Sequence, residues 1–330
     1  MSTNTNTSMT VIEAGGAGGP EVLRRAERAA PTPGRGEVVI AVRAAGVNRP
    51  DLLQRQGLYP PPAGASDVLG LEVAGIVAAR GEGVTGLREG DAVMALLPGG
   101  GYAERALCDA RHVLPKPDAL SFEEAAGFCE TAFTVWANAV EAGGLRPGER
   151  LLVHGATSGI GTMAGKVAVA LGAEAWGTAG TPAKAAAARA QGYARCWNHR
   201  REDWSEAARE AGGVDVVLDM VGGDYLARNV AALREGGRHV SIAFLRGTEG
   251  TLDILAVMRR RLTLTGSTLR ARPSEEKARL TREVRAHLLP HLAEGRLTPV
   301  IDRVFPLAEA AAAHAHLEAG GHVGKVILRA

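Results

Sequence analysis

The chain has 330 residues, 46% hydrophobic, 22% charged and 4% aromatic, a balance that excludes a disordered chain. With 38 Lys+Arg against 36 Asp+Glu the net charge is +2, and no basic surface for nucleic acid is expected. Its 43 glycines follow no three-residue period, so collagen is excluded and many tight turns are expected.

Residues 1–8 read as a loose polar tail with neither the charged nor the apolar region of a secretory signal, and structure is expected from Met9. Residues 36–48, 69–81, 91–97 and 102–114 are short Val/Leu/Ala runs separated by Gly, Pro and Asp, which predicts a β-rich first third. Between the first two runs, residues 49–66 begin as a helical turn, and the Tyr59-Pro60-Pro61-Pro62 that follows cannot be helix interior.

At Ser121 the pattern changes. Ser121 and Glu124 form a capping box that opens a helical segment. Strands are then expected at 150–155, 174–180, 193–198, 214–222, 238–244 and 262–268, with helices at 162–172, after Thr181, at 202–211, 224–237 and 254–261. Six strands alternating with helices specify a doubly wound parallel sheet, the Rossmann arrangement. The apolar stretch from Ile160 to Gly180 is broken by Lys166 and Glu174, so no membrane span is expected. A long helical stretch at 274–295, an Ala-rich helix and a closing strand follow, which suggests that the C-terminus returns to the first domain. Cys108, Cys129 and Cys196 are too few and scattered for a disulfide framework, which points to the cytoplasm.

The strongest local signal is the strand–turn–helix at 151–172. Gly159-x-Gly161-x-x-Ala164 matches a dinucleotide fingerprint: Gly159 for the turn, Gly161 for close approach of a pyrophosphate, Ala164 for close helix packing. An NAD site places a carboxylate at the end of the second strand. Here that place is Gly177 to Thr181, with Lys184 following, so a 2′-phosphate and hence NADP is preferred. The first domain must supply the substrate pocket, with Asn48, Asp51, Gln54, Tyr59 and Glu72 as candidates. No His precedes His112 and no Cys precedes Cys108, so zinc catalysis is disfavoured and no metal site is expected. His314 and His316 are two apart and poor joint ligands.

Residues 46–75 (GVNRPDLLQRQGLYPPPAGASDVLGLEVAG), 95–104, Glu130-Thr131-Ala132-Phe133, 154–162 and 324–328 (GKVIL) resemble the zinc-free quinone oxidoreductase (zeta-crystallin-like) branch of the medium-chain dehydrogenase/reductases. The resemblance implies an α/β fold: a GroES-like, β-rich substrate domain over 9–125, completed by 271–330, and a Rossmann six-stranded NADP-binding domain over 126–270. It implies NADPH, an apolar quinone-like acceptor and a homodimer. Asn48 and Leu71 stand where zinc-dependent relatives carry ligands. Tyr59 and Asn48 would serve the reaction. Thr131, Ser158, Gly159, Ile160, Gly161, Gly180, Thr181, Lys184, His199, Phe244, Leu245, Leu269 and Arg270 would hold the cofactor. His199 replaces a tyrosine of many relatives, and Leu53 replaces a pocket tyrosine of some. Three activities stay open: quinone reduction, reduction of activated C=C bonds, and NADPH binding with little catalysis.

Overall fold

The computed structural model describes residues 8–330, and element counts refer to those residues; residues 1–7 of the expected tail lie outside them. The chain divides into two compact units. One runs to Glu130 and resumes at Arg270, and the other is Thr131–Leu269.

The first unit opens with an antiparallel hairpin, β1 (Ser8–Ala14) and β2 (Leu23–Ala29), in which Ser8 already pairs with Ala29. Then come β3 (Glu37–Val47), the helix Arg49–Arg55, β4 (Glu72–Arg80), β5 (Ala92–Leu96), β6 (Arg105–Asp109) and β7 (Val113–Pro115). β3 pairs with β4 on one side and with β6 and the late strand Lys325–Arg329 on the other, and its apolar residues Val38, Ile40 and Val42 join the main core cluster.

The second unit holds β8 (Arg150–His154), β9 (Glu174–Ala179), β10 (Arg195–Asn198), β11 (Val214–Asp219), β12 (Leu233–Ser241) and β13 (Thr263–Gly266). These form one six-stranded sheet in the order β10-β9-β8-β11-β12-β13, with every pair parallel. Its central strands are continuous apolar runs, because helices cover both faces of such a sheet. Leu151, Leu152 and Val153 of β8, and Val216, Val217 and Leu218 of β11, are fully buried.

The chain then returns to the first unit with the helices Ser274–His287 and Leu289–Ala293, β14 (Ile301–Pro306), the helix Ala310–Ala319 and β15 (Lys325–Arg329). β15 pairs antiparallel with β3, as the expected return of the C-terminus requires.

Four elements differ from expectation. The hairpin β1–β2 was not anticipated, because alternating charges (Arg24, Arg25, Glu27, Arg28) mask its few apolar residues. The run 102–114 is cut into β6 and β7 by a single helical turn at Ala110–His112, where Asp109 accepts from the Arg111 amide at 2.9 Å. Residues 233–237, expected as the end of a helix, are the start of β12, because Leu233 pairs beside Val214 and a register shift follows. The stretch 274–295 breaks at Leu288, where Pro290 starts a new helix.

Candidate functional site

In the second unit, β8 runs into the turn Gly155–Ser158 and the helix Gly159–Ala170. Ser158 caps that helix, its Oγ accepting from the Gly161 amide at 3.0 Å. The amides of Gly159 and Ile160 have no acceptor among the described residues. Two free donors on a helix start, with the helix dipole behind them, suit an anion.

Gly161 has a packing reason independent of any ligand: a Cβ there would lie 2.2 Å from the Gly155 carbonyl oxygen. Close approach of the helix also falls on Gly165, which the fingerprint did not single out. A Cβ there would meet the Tyr193 ring at 2.4 Å, and the Tyr193 hydroxyl donates to the Gly161 carbonyl at 2.6 Å.

β9 ends at Ala179, and Gly180-Thr181 follows without a carboxylate. Thr181 caps the helix Pro182–Ala190 by accepting from the Lys184 amide at 3.2 Å. The His199 and Arg200 side chains border the same turn: a Cβ on Gly180 would lie 3.4 Å from His199 Nε2 and 3.6 Å from Arg200 Nε. The exposed Arg200 guanidinium makes no hydrogen bond or ion pair among the described residues. Burial, helped by the charges of Arg200, Arg246 and Arg228, holds the His199 imidazole below its usual value, so the fixed positive charge beside Gly180 is that of Arg200. Sequence reasoning missed Arg200, which no local motif singles out.

A cavity of about 550 Å³ opens at the carboxyl ends of β11, β12 and β13, lined in part by Asp219, His239, Ser241, Phe244 and Ser267. In a doubly wound sheet this is the end at which ligands bind. Phe244 and Leu245 are 62% and 56% exposed. A buried polar chain braces the strand ends behind the cavity. His154 Nε2 lies 2.6 Å from Asn229 Oδ1, Asn229 Nδ2 donates to Asp219 Oδ2 at 3.0 Å, and Asp219 Oδ1 accepts from the Val221 amide at 2.7 Å. Thr131 is buried at the start of this unit, and Leu269 is its last residue.

In the first unit, Asn48 caps the helix Arg49–Arg55 through a capping box: its amide donates to Asp51 Oδ2 at 2.8 Å. Its side chain is spanned by a buried ion pair. Lys325 Nζ lies 2.7 Å from Glu72 Oε1 and donates to Asn48 Oδ1 at 2.5 Å, while Asn48 Nδ2 donates to Glu72 Oε1 at 3.0 Å. Glu72 Oε2 accepts from the Glu130 amide at 2.9 Å. Gly46 makes room for this acid, because a Cβ there would lie 2.2 Å from Glu72 Oε1. Asn48 is thus engaged through both polar atoms of its amide.

Asp51, fully buried, accepts from the Gly70 amide at 3.0 Å and the Tyr102 hydroxyl at 3.3 Å. Burial pushes its carboxyl up to about 6. Tyr102 continues to His314 Nε2 at 3.1 Å, and Arg55 donates to His314 Nδ1 at 3.3 Å. His314 is therefore spent inside the core, while His316 reaches Asp302 at 2.6 Å. Tyr59 is half-buried, and the Arg270 guanidinium lies over its ring at 5.6 Å. Arg270, expected among the cofactor residues, belongs to this first unit. Leu53 is half-buried in the Arg49–Arg55 helix, and Leu71 is buried just before β4. Among the described residues, no three His, Cys, Asp or Glu side chains converge as metal ligands would.

A parallel six-stranded sheet with a glycine turn, and a β-rich unit assembled from both ends of the chain, define a two-domain dehydrogenase/reductase fold. Comparison with known proteins agrees. Residues 34–118 match the alcohol dehydrogenase GroES-like domain, and residues 191–328 match a zinc-binding dehydrogenase family. The chain is 32% identical over 319 residues to quinone oxidoreductase of Homo sapiens, covering 94% of each. It is 33% identical over 302 residues to a phenolphthiocerol/phthiocerol polyketide synthase of Mycobacterium tuberculosis; the match takes in 88% of this chain but spans only 13% of that much longer protein. The crystal structure of Escherichia coli quinone oxidoreductase complexed with NADPH superposes with a TM-score of 0.85 at 32% identity, covering 97% of this chain and 100% of that one. The chain belongs to the medium-chain dehydrogenase/reductases, in their quinone oxidoreductase branch. Among the described residues, no helix is long and apolar enough to cross a membrane.

Proposed function

We propose that the protein is an NADPH-dependent quinone oxidoreductase that works without a metal. The observation that carries this reading is the free amide pair of Gly159 and Ile160 in a unit whose second strand ends without a carboxylate and beside Lys184, His199 and Arg200. Support also comes from the relatives, one of which binds NADPH.

When bound, NADPH supplies a hydride from its nicotinamide. The Gly159 and Ile160 amides at the Ser158 turn take the pyrophosphate, with Gly161 keeping the turn tight. Lys184 and Arg200, with His199 as a neutral hydrogen-bonding ring beside Gly180 and Thr181, take the 2′-phosphate. Thr131, Phe244, Leu245, Leu269 and the backbone at Arg270 line the remainder of the cofactor. Tyr59 donates a hydrogen bond, or its proton, to the oxygen of the acceptor. Asn48, through Glu72 and Lys325, fixes the start of the helix whose chain leads on to Tyr59. The same reading gives the protein a small apolar acceptor, a homodimeric state and a cytoplasmic place, the last on its buried free cysteines.

The test is steady-state NADPH oxidation with 1,4-benzoquinone and 9,10-phenanthrenequinone, and turnover is expected with both. No turnover with any quinone, together with turnover of an enone or enoyl thioester, would replace the reading by C=C reduction. Tight NADPH binding without oxidation by any acceptor would replace it by a sensor.

A further inference from the structure

Arg270 is only 6% exposed, yet its hydrogen bonding is incomplete. Nε donates to the Pro98 carbonyl at 2.8 Å and Nη2 to Gln54 Oε1 at 2.7 Å. Nη1 is buried and has no partner among the described residues. Among the described residues no carboxylate pairs with the guanidinium. Asp51 acts on it only through space, and both Asp51 oxygens are taken up by the Asn48 and Gly70 amides and Tyr102. Lys277 donates to the Arg270 carbonyl at 2.6 Å and adds positive charge. A buried cation with an unused donor is costly unless an anion or an oxygen acceptor completes it.

The second observation is next to it. Tyr59 packs its ring under the guanidinium, is half-buried, and its hydroxyl has no hydrogen-bond partner among the described residues. Arg270 Nη1 and the Tyr59 hydroxyl are thus two donors without a partner among the described residues, one of them charged, and the Tyr59 ring lies against the guanidinium. Gln54 is turned away from this task, its amide nitrogen donating to the Asp67 carbonyl at 2.8 Å and its oxygen bound to Arg270. Gly99 packs closely here: a Cβ on it would lie 2.6 Å from the Ser66 carbonyl oxygen and 3.5 Å from Arg270 Nη2.

We infer that Arg270 and Tyr59 form an anion-recognition site for the acceptor, so that the preferred substrates are aromatic acceptors carrying an acidic oxygen group, such as a carboxylate or sulfonate on the quinone ring. The inference rests on the quinone reading for the aromatic part; the anionic part rests on Arg270 alone. It sharpens the expectation of a merely apolar acceptor.

Binding tests it without turnover. Calorimetry of the full chain, with and without NADPH, would compare 1-naphthol-4-sulfonate with 1-naphthol. The sulfonate should bind at least about ten-fold more tightly, the scale of one charge-assisted hydrogen bond. Arg270→Leu should reduce that advantage to under about two-fold, and Arg270→Lys should keep part of it because the charge remains. Equal affinity of the two naphthols for the unaltered chain would overturn the proposal without any variant. So would an advantage that survives in Arg270→Leu, since a trapped water would then be all that Nη1 holds. A protein that binds the sulfonate through Arg270 but reduces no quinone would keep this site and lose the quinone reading. The reverse pattern, quinone turnover with indifference to the sulfonate, would do the opposite.

Discussion

Lys325→Met removes the ammonium that sits 2.7 Å from Glu72 while leaving the carboxylate in place. Lys325 is 3% exposed and Glu72 is 0% exposed, so water cannot replace the lost partner without the site opening. Breaking such a buried pair from one side costs about 3–5 kcal/mol. Glu72 keeps two donors, Asn48 Nδ2 at 3.0 Å and the Glu130 amide at 2.9 Å, which places the expected loss near the lower end, about 3 kcal/mol. Lys325→Met/Glu72→Gln removes the stranded charge as well, and should be less destabilised than the sum of the two single variants by about 1–3 kcal/mol. All four tryptophans lie in the second unit, so urea unfolding is best followed by far-ultraviolet circular dichroism. A loss below about 1 kcal/mol for Lys325→Met, or strict additivity in the double variant, would refute the view that this pair anchors Asn48.

Other outcomes are expected. Lys184→Ala and Arg200→Ala should each weaken NADPH about ten-fold or more while changing NADH less than about two-fold, read by fluorescence titration; equal losses for both cofactors would undo the 2′-phosphate assignment. Gly161→Val should abolish NADPH binding, because its Cβ would overlap the Gly155 carbonyl, and a variant that binds normally would show the turn to be more pliable than drawn. His154 is pushed down to about 4 by burial, so between its unfolded value of 6.5 and that pH the unfolded chain takes up a proton that the folded chain refuses. Stability is therefore lost as pH falls through this window, by roughly 2 kcal/mol at pH 5 from this group. Urea midpoints at pH 7 and pH 5 should show that loss in the parent relative to His154→Gln, and an identical pH response in the two would contradict it. Tyr59→Phe should reduce C=C reduction more than quinone reduction, if both are measurable, since only the former needs a proton placed on carbon.

The Rossmann half was legible because its signals are local. Strand runs such as Leu151–Val153, the Ser158 cap and the Thr181-Pro182 helix start each lie within a few residues. The start of β12 was not, because Leu233-Arg234-Glu235 has helical composition and only pairing beside β11 turns it into a strand. In the first unit, Asn48, Glu72 and Tyr59 could be singled out by type and motif, but their partners could not. Lys325 meets Glu72 across more than two hundred residues of chain, and Arg270 meets Gln54 and Tyr59 likewise. Arg200 was hidden for another reason: in the run His199-Arg200-Arg201-Glu202-Asp203 no local feature separates the residue beside Gly180 from its solvated neighbours.

The most direct measurement is a thermal melt of the purified chain in rising NADPH, with NADH in parallel. Ligand held by the Ser158–Gly161 turn and the Lys184–Arg200 corner should raise the melting temperature by several degrees once NADPH reaches about a hundred times its dissociation constant, with NADH far behind. A melting temperature that stays fixed up to millimolar NADPH would contradict the account at its base.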